Sequence, residues 1–140
     1  MERGLGALTL AFDHAQAVVN DGFSGLLGVE LTHSAEDQAT VRLPYREALG
    51  VGRIHGGAIS ALIDIAATAA FWSHPALTQG AWGATVDFTV HFLKLAAETD
   101  LIAEAKVRRR GGSVCVGDVC VRSADGEEVA AARVTYRLSP

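Results

Sequence analysis

The stretch that decides the fold is GRIHGGAISALIDIAATAAFWS, residues 52–73. Its spacing predicts one long helix from Gly56 to about Ser73. Ile59, Leu62, Ile63, Ile65, Ala66, Phe71 and Trp72 lie on every side of that helix, and a helix apolar all round is a buried one. Gly56 and Gly57 open it. Glycines there either let a ligand approach the backbone without meeting a Cβ, or simply make a tight turn into the helix. The first amides of a helix have no intrahelical partner and sit at the positive end of its dipole. They suit an anion, or a carbonyl oxygen becoming one. Asp64 lies in the middle of the apolar run, where a carboxylate is costly unless it is paired or functional. It is therefore either bonded to backbone or threonine groups, or a base.

Gly56 and Asp64 are eight residues apart, roughly 12 Å along a helix axis. They cannot both reach one carbonyl within a single subunit. Two such helices running antiparallel across a two-fold axis would set the Gly56 end of one against the Asp64 level of the other. If both groups are catalytic, the protein is at least a dimer with an isologous interface.

Outward from this helix the chain reads as follows. Residues 7–20 carry Leu8, Ala11, Phe12, Ala15, Val18 and Val19 at helical spacing, an N-terminal helix placed within residues 1–22. Residues 23–28 look like a short turn or lid. Residues 29–34 and 39–44 read as two strands around the polar turn Ala35-Glu36-Asp37-Gln38. Residues 45–54 form a loop with Gly50 and Gly52. After the helix, residues 82–93 alternate, which predicts Val86, Phe88, Val90 and Phe92 on one face. Residues 100–109, 113–122 and 128–138 follow as three consecutive antiparallel strands, joined at Gly111-Gly112 and Asp125-Gly126. A sheet covers such a helix only by curling around it. The expected fold is α+β, one domain over residues 1–140.

Composition narrows the function. Hydrophobic residues make up 49% of the chain and charged residues 20%, an ordinary globular balance. A net charge of -4 argues against general nucleic-acid binding. Cys115 and Cys120 are five apart in a strand and face opposite sides, so they should be reduced thiols rather than a bridge or a metal pair. The five histidines show no metal spacing, and no metal or cofactor is expected. Residues 58–72 are interrupted by Asp64 and are short for a membrane span. No leader pattern opens the sequence, so the expected location is the cytoplasm, away from membranes.

The run Gly52 to Asp64, together with Ala84-Thr85-Val86-Asp87-Phe88 and the two hairpin turns, resembles the hotdog thioesterases of the phenylacetate-degradation type. The resemblance covers roughly residues 23–138. It implies a curved antiparallel sheet wrapped around the buried helix, a homodimer with a continuous sheet that usually doubles to a dimer of dimers, and two-subunit active sites for an acyl- or aryl-CoA. It marks His55, Gly56, Asp64 and Thr85 as catalytic positions. The Gly56 amide would polarise the thioester carbonyl, Asp64 of the partner would act as nucleophile or general base, and Thr85 would assist nearby. It also implies a substrate-binding role around Leu49 and Gly57. The family often has Asn or Gln at the position of Leu49, which cannot donate a hydrogen bond. The turn Arg109, Arg110, Gly111, Gly112 and Ser113 would lie near the coenzyme A phosphates, although strand alternation should keep Arg108, Arg109 and Arg110 from all serving. A protein of this kind with little catalysis would be an acyl-CoA-binding module, the alternative that Leu49 favours.

Overall fold

The computed structural model describes residues 13–139. The expected N-terminal helix is helical over residues 13–20 (α1), and its residues 7–12 lie outside the described part. A short second helix, α2 (Gly22–Leu27), stands where a turn is expected. Six residues are too few to show a helical period, but two left-handed glycines bound it: Gly22 at φ 54° and Gly28 at φ 85°. Then come β1 (Glu30–Ala35), β2 (Gln38–Leu43), a single 3-10 turn at Glu47–Leu49, and α3 (Gly56–Phe71). Four strands finish the chain: β3 (Trp82–Phe92), β4 (Leu101–Arg110), β5 (Val114–Ser123) and β6 (Glu128–Ser139).

All six strands join one antiparallel sheet in the order β1-β2-β4-β5-β6-β3. It curls around α3, which packs against every strand. This is the hotdog arrangement. The helix comes close to the sheet because Ala66, Ala67, Ala69 and Ala70 are all buried and add little bulk. Phe71 fills the space beyond them, fully buried, and rests on Gly117, where an added Cβ would lie 3.1 Å from the Phe71 ring. Among the described residues, no helix is long and apolar enough to cross a membrane.

α3 ends at Phe71, two residues before the end its spacing predicts. Its C-terminus is closed by groups distant in sequence. The Arg110 guanidinium donates to the Phe71 carbonyl at 2.9 Å and to Asp37 Oδ1 at 2.8 and 3.0 Å. A cation there complements the negative end of the helix dipole. The Ser73 carbonyl accepts from Asp37 N–H at 2.8 Å, which ties the β1–β2 turn to the same point.

β3 departs from simple alternation. Thr85 pairs with Tyr136 and Asp87 with Thr135, so Val86 is an extra, bulged residue. It is 59% exposed, and so is not on one face with Phe88 and Val90, which pack toward the core. Cys115 is buried on the inner face of β5, while Cys120 is half-buried on the other side; both are free thiols.

Two predictions follow from this packing. Phe71→Ala should lower stability by about 3–5 kcal/mol, read as a shift in urea midpoint. Asp100 accepts from Tyr45 N–H at 2.6 Å and pairs with Arg42, and these contacts hold its carboxyl below the ordinary carboxylate range. A carboxyl depressed in the folded state contributes stability above its unfolded pKa and loses it as pH falls through the folded value. Asp100→Asn should therefore flatten the decline of Tm below about pH 4, and an unchanged acid limb would count against this ion pair.

Candidate active site

The loop before α3 is built to present the helix tip. Gly50 and Ile54 form an antiparallel bridge across a tight turn, and Gly52 sits at φ 73°. A Cβ at Gly50 would lie 1.8 Å from the Arg53 carbonyl oxygen, so the turn closes only around glycine. Ile54 N–H donates to the Ala96 carbonyl at 2.7 Å, and His55 N–H to the Leu49 carbonyl at 2.8 Å. His55 is the N-cap: its Nδ1 accepts from Gly57 N–H at 2.8 Å. The imidazole thus satisfies the Gly57 amide, while Gly56 N–H donates to no group among the described residues. The Phe92 ring lies against Gly56, where a Cβ would be 3.3 Å from its edge. Arg53, His55, Gly56, Ile59, Phe92 and Lys94 line a cleft of about 530 Å³ at this tip.

Asp64 opens onto a different cavity, of about 520 Å³. Thr85 Oγ1 donates to Asp64 Oδ1 at 2.6 Å. This contact depends on the β3 bulge. Thr85 is at an odd position and Phe88 and Val90 at even ones, so strict alternation would turn one set outward. With Val86 looped out, all three face α3. The cavity is completed by His14, Ala17 and Val18 of α1, Phe23 and Ser24 of α2 and its N-cap Asp21, Ile65 and Thr68 of α3 and its C-cap Trp72, Ala84 of β3, and Tyr136 of β6.

The structure therefore brings Asp64 and Thr85 together, and separately His55, Gly56 and Gly57. It does not join the two groups within one chain. Both cavities border β3, whose outer edge has no partner strand among the described residues. Leu49 is buried at 5% exposure and lines neither cavity, so its contribution to the tip is the backbone carbonyl that holds His55.

The three arginines are separated by a second irregularity, between Val107 and Arg109. Arg108 pairs with Asp118 at 3.3 Å, and Arg110 is tied to Asp37 and the end of α3. Arg109 is exposed and forms no ion pair among the described residues. It lines a groove with Gly111, Gly112, Ser113 and Val114. Glu36, Asp37 and His74 bring possible metal ligands together, but Arg110 already neutralises Asp37, and His74 faces Glu36 at 3.5 Å. These contacts already use the ligand atoms of the group.

Sequence reasoning missed His14, Ser24 and Tyr136 in the Asp64 cavity and Arg53 at the helix tip. The first three carry no signal beyond amphipathic spacing, which marks core and cavity wall alike. Arg53 sits inside the Gly52–Asp64 run and was readable there as a cation beside the helix N-terminus.

Comparison with known proteins bears on this geometry. Residues 51–130 match the family model of the thioesterase superfamily, a span that holds both glycine and aspartate. A Halobacterium salinarum protein bearing an esterase name is 36% identical over 135 residues, covering 88% of this chain and 89% of its own. Among solved structures, the E. coli PaaI protein of the phenylacetic acid degradation operon superposes with a TM-score of 0.81 at 25% identity, covering 94% of each chain. A thioesterase family protein from Silicibacter pomeroyi gives 0.80 at 26% identity, covering 90% of this chain and 98% of that one. From its buried helix, its curled sheet and these matches, the chain belongs to the thioesterase superfamily.

Proposed function

We propose that the protein hydrolyses acyl- or aryl-CoA thioesters in a site shared between two protomers of a homodimer. The observation that carries this reading is the split of the two halves: an amide with no acceptor at the tip of α3, and a hydroxyl-bound carboxylate two turns further along the same helix. The exposed edge of β3 supports the pairing. Trp82, Val86 and Phe92 on that strand, and Leu93 and Leu95 just beyond it, are apolar and more than half exposed. A long apolar edge strand is a natural surface for a second copy. Antiparallel pairing of two β3 edges about their middle would lay the Thr85 half of one protomer's strand along the Phe92 half of the other's.

In such a site the Gly56 N–H would donate to the thioester carbonyl and stabilise the oxyanion that forms on attack. Thr85 occupies Asp64 Oδ1, which leaves Oδ2 for the reaction. As a general base, Asp64 would take a proton from water as the water oxygen attacks the carbonyl carbon. As a nucleophile, it would form an anhydride that water then splits. In both routes the C–S bond breaks, CoA leaves as the thiolate and takes up a proton, and the acid is released. Arg109, the cation left free at the β4–β5 turn, would meet CoA phosphate.

The experiment is release of free thiol from a panel of acyl- and aryl-CoAs. Asp64→Asn should cut kcat by at least about a thousandfold with the fold intact by circular dichroism. Gly56→Val should also be inactive. Co-refolding the two variants should restore about a quarter of wild-type activity, because half of the dimers are mixed and each mixed dimer holds one intact site. No recovery on mixing would overturn the shared site.

The arginines should divide in the same assay. Arg109→Ala should raise KM for a CoA ester but not for the matching pantetheine ester. Arg110→Ala should instead lower stability by about 1–3 kcal/mol. A second reading, an acyl-CoA-binding module with little turnover, is favoured by the buried apolar Leu49. It would be supported by tight binding of CoA esters without thiol release.

A further inference from the structure

The Asp64 cavity continues beyond the carboxylate. Asp64, Thr68 and Trp72 follow at four-residue spacing and form one stripe on α3. The cavity floor thus runs about 12 Å from the carboxylate level to the indole. Ala17, Val18, Ile65 and Ala84 supply apolar wall, and Asp21, Ser24 and Thr68 supply polar wall. The end at the indole is polar too.

There Trp72 Nε1 donates to the Tyr136 hydroxyl oxygen at 2.9 Å. The His14 ring stands edge-on to Trp72, with centroids 5.4 Å apart and planes at 89°. Its Nδ1 is buried and has no hydrogen-bond partner among the described residues. Tyr136 is 4% exposed and tightly held. Its ring stacks on Phe71 at 5.0 Å, and it covers Gly83, where a Cβ would lie 2.4 Å from the ring. The hydroxyl oxygen accepts from Trp72, but the hydroxyl proton goes to no group among the described residues. Burial first, and the nearby Asp64 charge, hold the phenol protonated, so it remains a donor.

Two polar groups with unused hydrogen-bonding capacity thus both border Trp72 in the cavity wall. Buried groups of this kind are normally satisfied, and leaving them unpaired is unfavourable. The Tyr136 oxygen already serves Trp72, but its hydroxyl proton and His14 Nδ1 are surplus to what that wall needs. A ligand oxygen resolves the deficit. Tyr136 can donate to a hydroxyl or a carbonyl, and the imidazole can accept from the first or donate to the second.

We propose that Tyr136 and His14 form a specificity subsite for the acyl group, beyond the reacting carbon, and that preferred substrates carry a hydroxyl or carbonyl oxygen there. The proposal rests on the cavity being the acyl pocket of the hydrolase described above, and it adds which acyl groups that pocket selects. Sites that hydrogen-bond a substrate oxygen discriminate against the analogue that lacks it.

The test uses pairs of CoA esters that differ only in a remote hydroxyl. One pair is octanoyl-CoA and its terminal-hydroxyl counterpart; the other is phenylpropanoyl-CoA and its para-hydroxyl counterpart. Each pair is measured with the full chain, with Tyr136→Phe and with His14→Leu. The readout is the ratio of kcat/KM within a pair, which is insensitive to the overall activity of a variant. In the wild type the hydroxylated ester of at least one pair should be preferred at least about tenfold. Tyr136→Phe should bring that ratio close to one, and His14→Leu should lower it.

A wild-type ratio near one in both pairs would overturn the proposal, and so would a preference that survives both substitutions. If Tyr136→Phe does not fold, the wild-type and His14→Leu ratios decide. If no ester is turned over, the ratio of calorimetric Kd values decides the same question. In that outcome a preference in binding leaves the subsite standing while the hydrolase reading fails.

Discussion

A sixteen-residue helix with apolar side chains on every face is stable only when it is covered on every face. A single flat sheet covers one side. The six strands therefore curl, and the run of buried alanines in the second half of α3 lets them come close enough to exclude water. Almost every other feature answers to that enclosure. The helix ends must find partners away from solvent, which brings His55 to the N-terminus and Arg110 to the C-terminus. The Asp64 carboxylate inside must be satisfied, which brings Thr85 to it.

The enclosure also sets where the helix can be reached. Cavities open at the tip of α3 and beside Asp64, and both border β3. A bulge at Val86 re-aims this strand halfway along. It lets Thr85 serve the polar cavity while Phe88 and Val90 stay in the core. A local irregularity thus converts a packing strand into one that also brings a hydroxyl to Asp64, since a bulge re-aims the side chains beside it.

Much of this was legible in the chain itself. The buried helix follows from its all-round apolar spacing, and the β4–β5–β6 run from two glycine-bearing turns. Asp64 stands out because a carboxylate in such a helix needs a reason. Other features were hidden for physical reasons. The place of β3 beyond β6 is set by long-range pairing that no local pattern encodes. The bulge was masked because Val86, Phe88, Val90 and Phe92 alternate as a regular strand would. α2 is too short to show a period. The arginines looked alike until the shift after Val107 gave each a different neighbour. Tyr136 and His14 read as ordinary core positions, since spacing records which way a side chain points and not whether a void lies in front of it.

Both margins of the sheet carry such irregularities. β3 has one at Val86, and β1 shifts register between Leu31 and His33. A smooth margin would accept strand after strand from other molecules without limit. A kinked one spoils the ladder for most newcomers and tolerates only a neighbour whose own kink matches. The same distortion that aims Thr85 at Asp64 therefore also guards a crowded solution of this protein against fibrous growth, so cavity geometry and colloidal safety depend on one inserted valine.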